Sequence, residues 1–446
     1  MYGIVIRPFA SIAVLTALLG ASLTAQDKPT AFVGAYVIPI DRPPIAQGTV
    51  IVQHGKILDV GSADEIKLPS DCTVVNCEGK TIMPGLICTH SHIGGVGAAD
   101  GSSPIQPGVR VSDSLNIKDS GFKRALAGGL TTLNIMPGSG HLISGQTTYV
   151  KLRFFEDSPR SIDDLFIRDQ AGQPTGGLKM ANGTNPQGDP PFPGTRGRSA
   201  YLVREQFIKA REYADKIARA EGDADKMPPR NLHLETLVEA MQGKRIVHHH
   251  THRHDDIMTV LRLSREFGFS VVLHHISEGW RVAREIAEAE VPCSVILVDS
   301  PGGKLEARYL KMETPAALEK EGALVAFHTD DLITDSRIFF RMAAMGVRGG
   351  MSREKALEAL TLAGAKMLGM SERVGSLTPG KDADLIVLNG DPLSVYTVVE
   401  QTWVEGQQVF DRSDPQDRLY AVGGFGAGHD QQPYFCCYGR NQGAQQ

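Results

Sequence analysis

Between residues 81 and 370 short β-rich runs alternate with amphipathic helical runs, and few folds accept that order over so long a stretch. The strand-like runs are 87–92, 131–136, 245–250, 270–275, 293–298 and 323–328. The helical runs are 122–127, 204–220, 233–241, 256–267, 280–289 and 353–368, each with apolar residues three and four apart. Alternation over roughly 290 residues predicts a (β/α)8 TIM barrel rather than an open doubly wound sheet. No G-x-G-x-x-G stands between a strand and a helix, which argues against a dinucleotide site.

β-rich segments flank this middle. Runs 31–39, 48–53, 56–60 and 73–76 precede it, and 384–388 and 398–409 follow it. Pairing the two ends predicts a small β-sandwich domain built from residues 26–80 and 371–412, with the barrel at 81–370 between them. Loop-like stretches at 98–118 and 181–199, the latter rich in Pro, Gly and Asn, are expected to shape the active face. Residues 413–446 have little apolar periodicity and are expected to be a disordered tail.

Residues 1–25 read as a signal peptide. Arg7 supplies the positive charge, an apolar stretch runs from Phe9 to Leu23, and small residues lead to a cleavage point after Ala25. Export to a periplasmic or extracellular compartment follows, with no membrane association after cleavage. The six cysteines lack zinc-ribbon spacing; Cys72 and Cys77 sit in adjoining strand-like stretches that an exported chain could oxidise, but in a chain this large free thiols are the favoured reading over a disulfide framework. A net charge of -5 gives no reason to expect nucleic acid as a partner.

Chemistry concentrates where predicted strands end. In Thr89-His90-Ser91-His92 the two histidines share strand parity and point the same way. Further histidines end later strands: His248, His249, His250 and His252; then His274 and His275; then His328, followed by Asp330 and Asp331. Imidazoles at successive strand ends, with a carboxylate on the last, are what a metal site at a barrel mouth requires. Fourteen histidines cannot all be ligands, so several are core or supporting groups.

Two longer motifs identify a resemblance. The entry is Gly79-Lys-Thr-Ile-Met-Pro84-Gly85-Leu-Ile-Cys-Thr-His90-Ser-His92; the exit is Gly375-Ser-Leu-Thr-Pro-Gly380-Lys-Asp382-Ala-Asp384-Leu-Ile-Val-Leu. From about residue 30 to 412 the chain resembles the amidohydrolase superfamily, within it the imidazolonepropionase-like and prolidase-like branch. The resemblance implies a metal-dependent hydrolase that cleaves an amide, cyclic amide or dipeptide C–N bond with metal-activated water. Its metal residues would be His90, His92, His250, His275 and Asp330, with His248 and His274 as fallbacks. Binuclear relatives add a lysine carrying a carbamate, matched here by Lys179, with Lys151 as competitor. Such a lysine must lose its proton, which burial among cations favours. The resemblance thus implies one or two divalent ions, zinc by default for histidine–carboxylate sites, and a small-molecule amide or peptide-like substrate. Asp330 would carry protons between water and the leaving nitrogen. His252, His328 and Arg253 would support the ligands or contact substrate; Arg253 would suit a carboxylate, or equally a structural salt bridge. A deaminase or lactonase of the same superfamily, a catalytically silent scaffold and a homo-oligomer stay open.

Overall fold

The computed structural model describes residues 28–95, 100–297, 304–331 and 333–423. The signal segment, the vicinal Cys436 and Cys437 and most of the expected tail lie outside these residues. Within that tail Pro415–Val422 is a helix, where disorder was expected. It starts on Asp414, whose carboxylate accepts from the backbone of Gln416 and Asp417, with Pro415 in the first turn, a local signal that overrides the weak apolar periodicity.

The chain opens with β1 (Thr30–Val37), β2 (Ile45–Gln53), β3 (Lys56–Ser62), β4 (Thr73–Asn76) and β5 (Thr81–Pro84). The β2–β3 turn is His54–Gly55 with φ of 51° and 74°, the double left-handed conformation that suits the twist of a two-residue hairpin. The middle carries β6 (Leu86–Ser91), β7 (Leu130–Ile135), β8 (Ile143–Gln146), β9 (Thr148–Lys151), β10 (Leu178–Ala181), β11 (Val247–Thr251), β12 (Val271–His275), β13 (Cys293–Val295) and β14 (Val325–Phe327). The chain then returns through β15 (Leu385–Leu388), β16 (Val399–Val404) and β17 (Gln407–Asp411).

Strands from both ends share one sheet in the order β17-β16-β15-β5-β1-β2-β3. It forks at β1, where residues Thr30 to Val33 pair with β4 and Tyr36 and Val37 pair with β5. The join between the ends is the antiparallel pair β5–β15, so the exit motif lies directly against the entry motif. Phe32, Val50, Ile82, Leu385 and Val387 form its core, with Trp403 meeting the Phe32 ring edge-on at 5.0 Å.

The middle is TIM-barrel-like but not a uniform eight-fold repeat. Strands β10 to β14 run parallel side by side, as do β6 and β7. Between these groups β8 and β9 both pair antiparallel, β9 with β7 and β8 with β10. β6 and β14 adjoin at their C-terminal ends, where the Asp330 N–H donates to the His90 carbonyl at 3.1 Å. The predicted helices appear, with two divided: 353–368 becomes Arg353–Glu358 and Leu362–Met367, and 280–289 becomes a short turn followed by Ala283–Glu288. Thr314–Lys320 and Phe340–Arg348 add helices that the periodicity reading missed.

Candidate metal centre

Period-two geometry delivers the histidines. β6 aims His90 and His92 to one side, and both are buried. Their Nε2 atoms stand 3.1 Å apart. Asp330 Oδ1 lies 3.3 Å from His90 Nε2 and 3.0 Å from His92 Nε2. Lys179, on β10, brings Nζ to 3.2 Å from His90 Nε2 and 3.1 Å from Met136 Sδ. Ligands bonded to a metal at about 2.0–2.1 Å in a tetrahedron stand about 3.3–3.4 Å from one another, which is close to these separations.

A second group lies alongside. His275 Nδ1 is 3.9 Å from Asp330 Oδ2 and 3.4 Å from His328 Nε2. The His250 and His275 rings have centroids 4.3 Å apart, and His252 stacks on His275 at 5.1 Å. Three sets of side chains could each hold an ion: His90, His92 and Asp330; His90, His275 and His328; His250, His252 and His275.

Supporting contacts fix ring orientations. His92 Nδ1 lies 2.7 Å from the Met136 carbonyl, His252 Nδ1 lies 2.7 Å from Ser277 Oγ, and His328 Nδ1 lies 2.8 Å from Ser294 Oγ. Each contact leaves the opposite Nε2 to face the cluster, the usual arrangement for a metal-binding imidazole. Among the described residues the buried Nε2 atoms of His252 and His275 have no hydrogen-bond partner. Buried polar atoms rarely stay unpaired, so these donors fit a bound cation.

Electrostatics point the same way. Burial, then the neighbouring Lys179 charge, holds His90 well below the ordinary histidine value. Burial likewise lowers His250, His252 and His275, and brings His328 to about 3. These five imidazoles are therefore neutral at pH 7, as ligands must be. Burial pushes Asp330 up, but the hydrogen bond from His92, with the neighbouring histidines and Lys179, outweighs it and holds the carboxylate well below its usual range. The backbone adds strain: His275 has φ of 71° and Asp330 of 50°, left-handed values that cluster at functional sites.

The remaining sequence candidates fall elsewhere. His248 and His274 meet each other beneath the cluster, Nδ1 to Nε2 at 3.0 Å, and His248 Nε2 lies 2.9 Å from the Tyr149 hydroxyl. Lys151 is not at the centre: its ammonium contacts Asp382, Asp384 and Glu405 near the terminal sheet. Asp331 turns away to accept from Ser91, Thr329 and Ser336. Arg253 forks onto Asp255 at 2.8–2.9 Å on the half-exposed start of the helix His254–Phe267. Cys72 and Cys77 are free thiols. One residue that the sequence reading missed does reach the centre. Lys304 Nζ stands 3.4 Å from His250 Nε2. Its signal was faint, a lysine in a glycine-rich loop.

A parallel-stranded barrel-like fold with imidazoles and one carboxylate gathered at strand C-termini defines a class of barrel-mouth metal sites. Comparison with known proteins gives the class its family. A family model described as the amidohydrolase family matches residues 214–410. A solved amidohydrolase from Thermotoga maritima MSB8 is 34% identical, with a TM-score of 0.79, over 86% of this chain and 100% of that one. The amidohydrolase tasK of Hapsidospora irregularis is 28% identical over 398 residues, 82% of this chain. This chain spans 40% of that protein's length. A 5-methylthioadenosine/S-adenosylhomocysteine deaminase from Symbiobacterium thermophilum is 22% identical over 77% of this chain and 81% of that protein. The chain belongs to the amidohydrolase superfamily.

Proposed function

We propose that the chain is a metal-dependent hydrolase of a C–N bond in a small amide, cyclic amide or dipeptide-like substrate. One observation carries this reading: a cluster of buried imidazoles converges on a single buried carboxylate at the strand ends. The ligand set that the contacts favour is His90, His92 and Asp330 on one side, and His275 with His252 on the other, with Lys179 between. His252 is preferred over His250 because Ser277 holds its Nδ1 and leaves Nε2 facing the cluster, whereas His250 Nε2 faces the Lys304 ammonium. Lys179 as a carbamate would join the two sides; zinc is the default occupant for such donors.

The ion, when bound, supplies Lewis-acid activation of water and of the substrate carbonyl. The chain's residues do the rest. Asp330, whose Oδ1 faces His90 and His92 and whose Oδ2 lies 3.9 Å from His275 Nδ1, would carry the proton from water to the leaving nitrogen. Ser277 and Ser294 hold His252 and His328 against rotation, so the donors need no rearrangement on binding. Export is proposed on the N-terminal sequence alone.

The test is hydrolysis of a panel of N-acyl amino acids, cyclic amides and dipeptides by purified protein before and after chelation, with zinc added back. Turnover abolished by chelation and restored by zinc supports the reading. Turnover indifferent to chelation sinks it.

A further inference from the structure

Strand β11 carries three histidines in succession, and period-two geometry turns the middle one away from the metal centre. His248 and His250 face the barrel interior, while His249 faces outward, toward the helices that cover the sheet. The register shows how that position is treated elsewhere. His249 lies level with Met180 on β10 and Leu273 on β12; Leu273 lies level with Cys293 on β13, and Cys293 with Val325 on β14. All four neighbours in this row are apolar and buried. His249 is the polar member of the row, and it is only 3% exposed.

One of its ring nitrogens is satisfied. Nδ1 lies 2.9 Å from the His250 carbonyl. A carbonyl can only accept, so Nδ1 carries the proton of the neutral ring and Nε2 is a bare acceptor. Among the described residues no donor reaches Nε2. The same carbonyl accepts from the Asn182 N–H at 3.2 Å, so the end of β10 and the His249 ring are pinned at one atom. Asn182 Nδ2 donates to the Asp256 carbonyl at 3.0 Å, which leaves Oδ1 as a second buried acceptor without a partner among the described residues.

His249 and Asn182 line a cavity of about 650 Å³ against the helices Arg196–Ala220 and His254–Phe267. Leu142, Ala181, Val203 and Leu263 form its apolar wall. The carboxylates and two of the guanidiniums around it are already engaged: Arg196 with Asp256 at 2.9 Å, Arg204 with Glu266 at 2.8 Å, and Asp255 with Arg253 at 2.8 Å. Arg262 is exposed and donates to the Thr259 hydroxyl at 2.8 Å. A charged ligand therefore finds no open carboxylate, and no buried guanidinium, to pair with. What the cavity offers is an acceptor. A buried acceptor left without a partner costs about 1–3 kcal/mol, so a histidine in a row of apolar residues favours an occupant that donates. The volume and the mix of an apolar wall with a few placed polar atoms are those of small-molecule sites.

We infer that this cavity is a second ligand site, on the opposite face of β11 from the metal centre, and that it takes a small neutral molecule with a hydroxyl or amide N–H for His249 Nε2 and a compact apolar body for the wall. Such a molecule is not the substrate of the metal centre, since β10 and β11 stand between it and Asp330. The site does not depend on the hydrolase reading.

The experiment titrates zinc-loaded protein, carrying nitrogen-15 in its histidine rings, with benzyl alcohol, toluene and sodium benzoate. The His249 Nε2 resonance is followed, assigned by its absence in His249→Gln, and affinities are measured in parallel by saturation-transfer NMR of the ligands. Benzyl alcohol donates a hydrogen bond, toluene has a similar shape without the donor, and benzoate is an anion. The expected result is a saturable shift with benzyl alcohol, about fivefold weaker binding of toluene for the loss of one neutral hydrogen bond, and no shift with benzoate. His249→Leu should bind toluene and benzyl alcohol alike. Ala200→Phe fills the cavity from the helix side and leaves β11 as it is, so it should abolish binding of both with metal content unchanged. No saturable shift in the wild type, equal affinity for toluene and benzyl alcohol, a preference for benzoate, or undiminished binding in Ala200→Phe overturns the assignment.

Discussion

Replacing Lys151 with methionine should destabilise the protein through one identifiable carboxylate. The ammonium is fully buried and contacts Asp382, Asp384 at 3.2 Å and Glu405 at 3.5 Å. Without it, Asp382 keeps Lys56 at 2.6 Å and Arg373 at 3.2 Å, and Glu405 keeps Arg153 at 2.8 Å. Asp384 loses its only ion-pair partner among the described residues. Its Oδ1 still accepts from the Glu405 N–H at 2.9 Å, but Oδ2 is left buried with nothing opposite. Removing one partner of a buried pair costs about 3–5 kcal/mol, and that is the expected fall in unfolding free energy by urea titration. The double variant Lys151→Met/Asp384→Asn should recover most of it, because the stranded charge is gone.

The pH dependence has a definite sign. Burial already raises Asp384, and losing Lys151 removes the main force lowering it. A carboxylate raised in the folded state can take up a proton there, so the variant's deficit should be smaller at pH 5 than at pH 8. In the wild type Lys151 is itself raised: burial lowers it, but Asp384, Asp382 and Glu405 outweigh burial. Its contribution is therefore complete below about pH 10.4 and is lost as pH rises through the folded value. A deficit under about 1 kcal/mol, or one not rescued by Asp384→Asn, would refute the reasoning.

Three further outcomes follow from the centre. Ser277→Ala frees the His252 ring and should weaken metal affinity about 10–100-fold, read by chelator competition; unchanged affinity would return the ligand role to His250. Asp330→Asn keeps the side chain's shape but cannot accept the proton, so turnover should fall about 10²–10⁴-fold, and a variant within tenfold of wild type removes Asp330 from proton transfer. Gly177→Ala places a Cβ 2.4 Å from His248 Cδ2 and 2.5 Å from the Ile246 carbonyl, so thermal melting should fall by several degrees; an unchanged melting temperature would mean that the strand relaxes.

Much of this arrangement was legible because periods of 2 and 3.6 are local. The strand ends could be placed from parity and order, and the family resemblance then singled out His275 and Asp330 at them. Four features were not. The antiparallel pairing of β8 and β9 depends on which neighbours they meet, and residues 143–151 carry the same alternation in either direction. The choice between His250 and His252 turns on depth, since both share parity on β11 and just beyond it; only Ser277, 25 residues away, separates them. Lys151 and Lys179 are both buried lysines on short strands, and their partners divide them: carboxylates from the exit motif around one, His90 and Met136 beside the other. Lys304 was missed because a lysine in a glycine-rich loop reads as solvated, and its contacts come from Asn185 and His250, more than 50 positions away.

The measurement closest to the central claim is the metal content of purified wild type and Lys179→Ala, by mass spectrometry of the digested protein. A centre joined through Lys179 predicts about two divalent ions per chain in the wild type and a clear drop in the variant. A folded wild type that retains no divalent ion after zinc loading and desalting would contradict a metal centre here, and equal content in both proteins would remove Lys179 from it.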